Sequence, residues 1–221
     1  MTDPFCLGPA LAFDLHDPTE PPTGEWQSLT TRITDEALRQ RVEHVGDALS
    51  TPGRGEVDAR VAASTEQFGL AARLVAAHIC ARALGRHLDL HTSSIRWRLD
   101  ARSGLRLSFA ATPHPVNPLQ DSAIVQLTGR IQALYGVSPH VVWGNLGSAA
   151  NSTIALLRAS RPELVDAART TADELLTDPR IDGGDLRTGP GFRRASCCLI
   201  YRATDGLCGD CVLHRRGTSR V

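Results

Sequence analysis

The residues most suited to chemistry are cysteines. Four of the six lie within 15 residues near the end of the sequence: Cys197, Cys198, Cys208 and Cys211. Two residues separate Cys208 from Cys211, a spacing that lets both thiolates reach one metal, and Gly209 between them allows a tight backbone turn. This segment is therefore predicted to bind a metal.

The residues between the two cysteine pairs suggest how the four thiolates meet. Leu199 to Tyr201 has strand character, and Asp205-Gly206 is a strong turn signal, so a hairpin is predicted that folds the first pair back onto the second. Four converging thiolates suit either a tetrahedral Zn²⁺ or a four-cysteine iron–sulfur cluster. The adjacent Cys197-Cys198 pair is awkward for a zinc knuckle, and two irons accommodate it more easily. The spacing of the cysteines alone does not exclude a zinc site.

Composition and the chain's N-terminus bear on a third alternative, a disulfide. No basic segment precedes an apolar run at the start of the sequence, so no secretory signal is expected. No apolar stretch approaches the ~20 residues of a membrane span, so no integral membrane segment is expected. The expected location is the cytoplasm, where reducing conditions disfavour structural disulfides. The net charge of zero argues against a protein that coats nucleic acid.

Arginines surround the cysteines in an otherwise neutral protein. Residues 187–221 contain seven arginines against Asp205 and Asp210. Guanidinium groups would offset the negative charge of a four-thiolate centre and raise its reduction potential. They could equally dock an anionic partner or substrate, or form a basic tail after Leu213.

The elements that position the cysteines are predicted from hydrophobic periodicity and end signals. Helices are expected from Thr34 to Leu49, over about 57–84, over about 121–135, from near Gly147, and from Pro162 to Asp178. Strands are expected at Ile95 to Leu99 and Leu105 to Phe109, joined as a hairpin. The predicted fold class is α+β, mostly helical, with an antiparallel hairpin or sheet and a small cysteine-rich C-terminal segment.

Changes in sequence texture predict three regions. Residues 1–30 contain five prolines and are expected to form a loosely ordered arm. Residues 31–180 are expected to form an α+β substrate-binding domain. The glycine-, proline- and arginine-rich residues 181–221 are expected to form the segment that binds the metal centre.

The C-terminal pattern, Cys-Cys followed by Cys-x-x-Cys, resembles the signature of ferric siderophore reductases of the FhuF type. Leu70-Ala-Ala-Arg73-Leu74 and Trp143-Gly144-Asn145 are similar to further segments of that family. The resemblance implies a [2Fe–2S] cluster held by Cys197, Cys198, Cys208 and Cys211. This sequence departs from the family's pattern by having one residue fewer between the pairs, nine from Leu199 to Leu207.

The same resemblance implies a cytoplasmic iron-chelate oxidoreductase. Its [2Fe–2S] cluster would pass one electron to siderophore-bound Fe(III), releasing Fe(II), and hydroxamates are one candidate class of siderophore. No glycine-rich nucleotide-binding motif appears, so electrons are expected from a separate ferredoxin or NAD(P)H-dependent reductase. A zinc-stapled binding module and a [2Fe–2S] redox sensor or electron carrier are the alternatives.

Substrate contacts are expected at two places. Trp143 and Asn145, placed at a predicted helix start, offer an aromatic face and a polar group near an anion-attracting helix terminus. Arg194 and Arg202 flank the cysteines and could contact an anionic chelate. No catalytic residue beyond the cluster is expected, because one-electron reduction requires no acid or base.

Overall fold

The computed structural model describes residues 12–50, 55–101 and 104–213. Its strands are β1 (Asp14–His16), β2 (Gln27–Ser28), β3 (His87–Leu88), β4 (Ile95–Asp100) and β5 (Gly104–Thr112). Its helices are α1 (Leu29–Arg32), α2 (Asp35–Leu49), α3 (Ala59–Ala83), α4 (Ala123–Tyr135), α5 (Pro139–Ser160) and α6 (Val165–Leu175). The α+β fold class, with helices in the majority, is confirmed.

Helix α3 is the centre of the fold. It packs against α2, α4, α5 and α6, and alanine occupies many of its positions, so neighbouring helices can approach closely. Leu70, Leu74 and Ile79 are fully buried, as expected for a helix surrounded by others. Within the part of the chain that the structure describes, no helix is long and apolar enough to cross a membrane.

The sheet is built on the predicted β4–β5 hairpin, which is confirmed. Its strand order is β1-β5-β4-β2, and β3 pairs with the far end of β5. Ile95 pairs with Phe109, and both are fully buried, so the alternation of apolar and polar residues gives the sheet one core face. β1 runs parallel to β5, which makes the sheet mixed rather than wholly antiparallel.

Part of the stretch expected to be a loosely ordered N-terminal arm is paired with the sheet. β1 and β2 in this stretch pair with β5 and β4, and Phe13 is buried edge-to-face against Phe109 with ring centroids 5.8 Å apart. Strands of two or three residues are too short to produce a periodic pattern, so the prolines dominated the prediction. Residues 1–11, including Cys6, lie outside the described residues.

Helix α5 begins eight residues before the predicted start near Gly147. Ser138 precedes it, and Pro139 occupies the first-turn position that proline favours. Trp143, Gly144 and Asn145 therefore lie inside the helix rather than at its N-terminus. Pro162 begins a short 3₁₀ helix, Pro162–Leu164, which leads into α6.

Candidate metal centre

The four C-terminal cysteines lie in a segment with little regular structure that packs on α3 and α5. Their side chains carry no disulfide: Cys197, Cys198 and Cys208 are half-buried and Cys211 is buried. The Sγ atoms of Cys198 and Cys208 lie 3.6 Å apart. One cysteine from each pair therefore meets the other, as two ligands of one metal ion would.

The chain returns between the pairs by a different route from the predicted hairpin. Leu199 adopts a left-handed conformation with φ 69°, and residues Ile200–Arg202 form a 3₁₀ helix instead of a strand. A leucine at positive φ is strained by roughly 1 kcal/mol or more, and such strain is common at functional sites. Because the chain reverses direction directly after Cys198, the nine residues from Leu199 to Leu207 are enough to reach Cys208.

Backbone hydrogen bonds hold the two halves of the segment together. The N–H of Arg194 donates to the carbonyl of Asp210 at 3.1 Å, and the N–H of Cys211 donates to the carbonyl of Cys208 at 3.0 Å. The second bond closes the Cys208-x-x-Cys211 turn that the spacing predicted. The segment thus forms a closed loop whose two ends carry the cysteine pairs.

The donor set of four cysteines suits a two-iron cluster, because one sulfur of each pair already lies beside the other. A tetrahedral zinc site needs four ligands around one ion, whereas each iron of a [2Fe–2S] cluster takes two cysteines. A cavity of about 320 Å³ also opens beside Cys198 and Cys208, so there is room for a group larger than one ion.

Backbone donors point at two of the sulfur atoms. The N–H of Leu199 lies 3.4 Å from Sγ of Cys197, and the N–H of Leu213 lies 3.4 Å from Sγ of Cys211. Such hydrogen bonds stabilise thiolates and tune the potential of iron–sulfur clusters. At each end of the loop, one cysteine sulfur therefore has a backbone donor that could stabilise its thiolate form in a metal centre.

Without a metal, the pKa values of two of the thiols, Cys197 and Cys208, are raised. Burial raises the pKa of Cys197, and the neighbouring Cys198 and Cys211 raise it further, while Arg194 acts in the opposite direction. Burial, Cys198 and Asp210 likewise raise the pKa of Cys208. Crowded sulfurs of this kind become thiolates when a cation replaces their protons, so metal binding here releases protons.

The segment is anchored on the helices by small polar side chains and two glycines. Ser64 of α3 donates to the carbonyl of Cys198 at 3.1 Å, and Ser148 of α5 donates to the carboxylate of Asp210. A Cβ placed on Gly144 would lie 2.0 Å from Oγ of Ser196, so only glycine permits this approach. Gly147, one turn on, faces the side chains of Ile181, Leu186 and Phe192.

Arg194 and Asn145, two predicted substrate contacts, lie together in the interior. Arg194 is 3% exposed and Asn145 is 0% exposed. Nη1 of Arg194 donates to Oδ1 of Asn145 at 2.9 Å, and Nδ2 of Asn145 donates to Oε1 of Gln67 at 2.8 Å. The structure brings these residues beside the cysteines as a buried polar network.

The other two predicted contacts lie apart from each other. Trp143 is 8% exposed, and the guanidinium of Arg180 stacks over its ring at 4.2 Å from the centroid. Arg202 is exposed on the 3₁₀ helix between the cysteine pairs and approaches Asp58 at 4.0 Å. Of the four, Arg202 is therefore the one whose head group faces solvent near the cysteines.

Sequence reasoning missed Ser64, Gln67, Ser148 and Asp210. Single serines and a glutamine on apolar helices carry no motif, and their partners are more than 60 residues away. The position of Asp210 inside Cys208-x-x-Cys211 was the one available signal. The remaining cysteine of the described residues, Cys80, is fully buried in α3, and burial raises its pKa to about 12, as befits a core residue.

Comparison with known proteins supports the identity of the centre. Residues 194–213 match the family model described as the FhuF 2Fe-2S C-terminal domain. The matched stretch contains all four cysteines and begins at Arg194. The [2Fe–2S] cluster predicted from the sequence is thereby supported. No curated protein matched the chain.

Proposed function

We propose that this protein is a ferric-siderophore reductase that holds a [2Fe–2S] cluster on Cys197, Cys198, Cys208 and Cys211. The observation that carries the proposal is the family match over residues 194–213, which contain these cysteines. The fold supports it by placing Cys198 and Cys208 at 3.6 Å beside a cavity. The burial and the fixed hydrogen bonds of the segment suit a group that must change charge without large rearrangement.

When bound, the cluster supplies one electron at a time, which is the number that converts Fe(III) to Fe(II). A siderophore holds Fe(III) through hard oxygen ligands and binds Fe(II) far less tightly, so reduction releases the metal. The electron lost by the protein equals the electron gained by the iron. Because this step transfers no proton, no residue is assigned the role of general acid or base.

The protein's own residues would orient the chelate at the exposed side of the cysteine loop. Tyr201 and Leu207 are the exposed large apolar side chains of this loop, and Arg202 lies next to Tyr201. An aromatic ring, an aliphatic side chain and a cation together suit a chelate with apolar arms and anionic oxygen ligands. We assign the docking role to Arg202, because Trp143, Asn145 and Arg194 are buried.

The electron donor is proposed to be a separate protein, a ferredoxin or an NAD(P)H-dependent reductase. The sequence contains no glycine-rich nucleotide-binding motif. We propose a cytoplasmic location, because free cysteines persist in a reducing compartment.

The test is anaerobic purification followed by single-turnover reduction. The protein should be reddish-brown, with two irons and two sulfides per chain and absorption between about 300 and 600 nm. After chemical reduction, addition of a ferric hydroxamate siderophore should restore the oxidised spectrum, with one Fe(II) captured by an Fe(II)-specific chelator per cluster oxidised. Cys208→Ser should abolish or destabilise the cluster, whereas the matched control Cys80→Ala should retain it.

Each alternative has its own outcome. A colourless protein containing one zinc would end the reductase proposal in favour of a zinc-stapled module. A coloured protein whose reduced spectrum is unaffected by ferric siderophores would indicate a sensor or an electron carrier for another acceptor.

A further inference from the structure

Arg194 is a buried cation whose partners within the protein are neutral. Its guanidinium donates to Oδ1 of Asn145 at 2.9 Å, the carbonyl of Val141 at 3.2 Å and Oγ of Ser196 at 3.3 Å. No carboxylate among the described residues forms an ion pair with it. Its Nε–H, also buried, has no acceptor in the described parts of the chain. Among the described residues, Arg194 therefore carries its charge without an ion-pairing carboxylate.

A charge in this position needs an anionic partner, because an unpaired buried ion is strongly unfavourable. The other buried arginine of the described residues, Arg32, shows the usual solution: it pairs with the carboxylate of Glu66 at 3.4 Å.

Arg194 lines the same cavity as Cys198, Cys208 and Asp210. The carboxylate of Asp210 accepts a hydrogen bond from Ser148 and forms no ion pair with Arg194 among the described residues. The sulfur atoms, which would become thiolates on binding a metal, are the other groups on this cavity that can carry negative charge, and Arg194 acts to lower the pKa of Cys197.

The position of the guanidinium is fixed from several sides. Gly144 leaves room for it, since a Cβ there would come within 3.0 Å of Nη2. Asn145 is itself held by donating to Oε1 of Gln67 and to the carbonyl of Ser64, at 2.8 and 3.2 Å. The backbone of Arg194 is tied to Asp210. The cation thus cannot swing out to solvent without breaking the network.

We propose that Arg194 is the internal counter-charge of the [2Fe–2S] cluster and raises its reduction potential, rather than contacting the siderophore. The inference rests on the cluster of the proposed function but not on the substrate. Four thiolates leave a [2Fe–2S] centre with a net negative charge that grows on reduction. A fixed cation nearby stabilises the reduced form more than the oxidised form, so it favours acceptance of the electron.

The test is the midpoint potential of Arg194→Gln, measured by mediated spectroelectrochemical titration without siderophore. The midpoint potential should become more negative by at least about 59 mV, which corresponds to a tenfold change in the equilibrium constant of a one-electron reduction. Arg187→Gln is the matched control, since Arg187 is exposed in the same segment and donates to the carbonyls of Gly184 and Leu186. The control should keep the wild-type potential. Equal potentials in the two variants would overturn the proposal.

Arg194→Lys keeps the charge and loses the forked hydrogen bonds. Its potential should lie closer to that of the wild type than to that of Arg194→Gln. If Arg194→Gln fails to load a cluster, loading by Arg194→Lys supports the charge role. If neither variant binds a cluster, cluster binding requires the hydrogen bonds of Arg194 rather than its charge, and the proposal is overturned.

A substrate readout separates this inference from the proposed function. The affinity of the oxidised protein for a ferric hydroxamate should be unchanged in Arg194→Gln, and a weakened affinity at constant potential would contradict the assignment. A protein that shows the potential shift but never reduces a ferric siderophore would refute the reductase function and leave the role of Arg194 standing.

Discussion

Ser64 of α3 donates its hydroxyl to the backbone carbonyl of Cys198 at 3.1 Å, across 134 residues of sequence. The same hydroxyl accepts a hydrogen bond from Nδ2 of Asn145 at 3.3 Å. One serine on the central helix therefore joins the cysteine loop to the network that holds Arg194. The rigidity of the metal centre depends on the helical core, not only on the cysteine segment.

Replacing Ser64 with Ala should loosen the cysteine loop. The carbonyl of Cys198 and the amide of Asn145 each lose a partner, at a cost of about 1–2 kcal/mol in the free energy of unfolding. The half-life of the cluster in the presence of an iron chelator should fall. Thr153→Ala is the control, because the buried Thr153 hydroxyl of α5 donates to the carbonyl of Ala149 in its own helix, away from the cysteine loop. Equal half-lives in the two variants would contradict the role of Ser64.

Gly144→Ala should destabilise the protein even though alanine is the better helix former. The new Cβ would lie 2.0 Å from Oγ of Ser196, and overpacking of this kind costs about 1–3 kcal/mol or more. Thermal unfolding measures the change, and cluster loss should accelerate with it.

Gly129→Ala is the control for this substitution. Gly129 is exposed on α4 with no atom within 4 Å of its Cβ position, so the change should stabilise the helix by about 1 kcal/mol. Adding Ser196→Gly to Gly144→Ala removes the clashing side chain and should recover part of the lost stability. A stabilised Gly144→Ala single variant would show that the loop is not packed as described.

Buried His78 should make stability depend on pH. Burial, with a contribution from Arg82, lowers the pKa of His78 to about 4. Between these two pKa values His78 is protonated in the unfolded chain but neutral in the folded chain. The free energy of unfolding therefore decreases as the pH falls through 6.5 toward 4. The loss from this one group is about 2 kcal/mol between about pH 7.5 and about pH 5.

His78→Leu should flatten this part of the stability profile, as measured by denaturant midpoints under anaerobic conditions. His44→Gln, a change at an exposed histidine of α2, should leave the profile as in the wild type. A His78→Leu profile as steep as that of the wild type would place the acid sensitivity elsewhere.

Arg202→Gln should slow reduction of an anionic ferric siderophore without altering the cluster. Its guanidinium is exposed, so its attraction for the chelate should weaken with added salt. We expect a raised KM at low ionic strength and a difference from the wild type that shrinks at high salt. The midpoint potential should change less than in Arg194→Gln, because solvent screens the exposed charge of Arg202. A salt-independent loss of activity would argue against docking by charge.

The local features of the sequence predicted the local parts of the structure. Thr34 caps α2 as its hydroxyl suggested, and the alternation in residues 95–109 produced the β4–β5 hairpin. The Cys208-x-x-Cys211 turn also followed from its own residues. Each of these depends on hydrogen bonds or side-chain periodicity over a few residues, which are visible along the chain.

The errors share a physical cause. A helix was expected to begin near Gly147, but α5 begins at Pro139, and Gly144 and Gly147 within it leave space for the later side chains of Ser196 and Phe192. β1 was not predicted, because its three residues form a strand only through their pairing with β5. Leu199 to Tyr201 looked extended, yet the loop turns at once and forms a 3₁₀ helix.

The sequence by itself predicted a metal centre on four cysteines, since thiolate spacing and the C-terminal signature are local properties. It also fixed which residues could carry charge around that centre. Only the tertiary structure decided what those charges do. It placed Arg194 in the interior against Asn145 and left Arg202 in solvent, although both are arginines near cysteines in sequence. Burial removes water from one guanidinium and not from the other. Solvation depends on the whole fold, and this difference is the reason for proposing Arg194 as a counter-charge and Arg202 as a docking group.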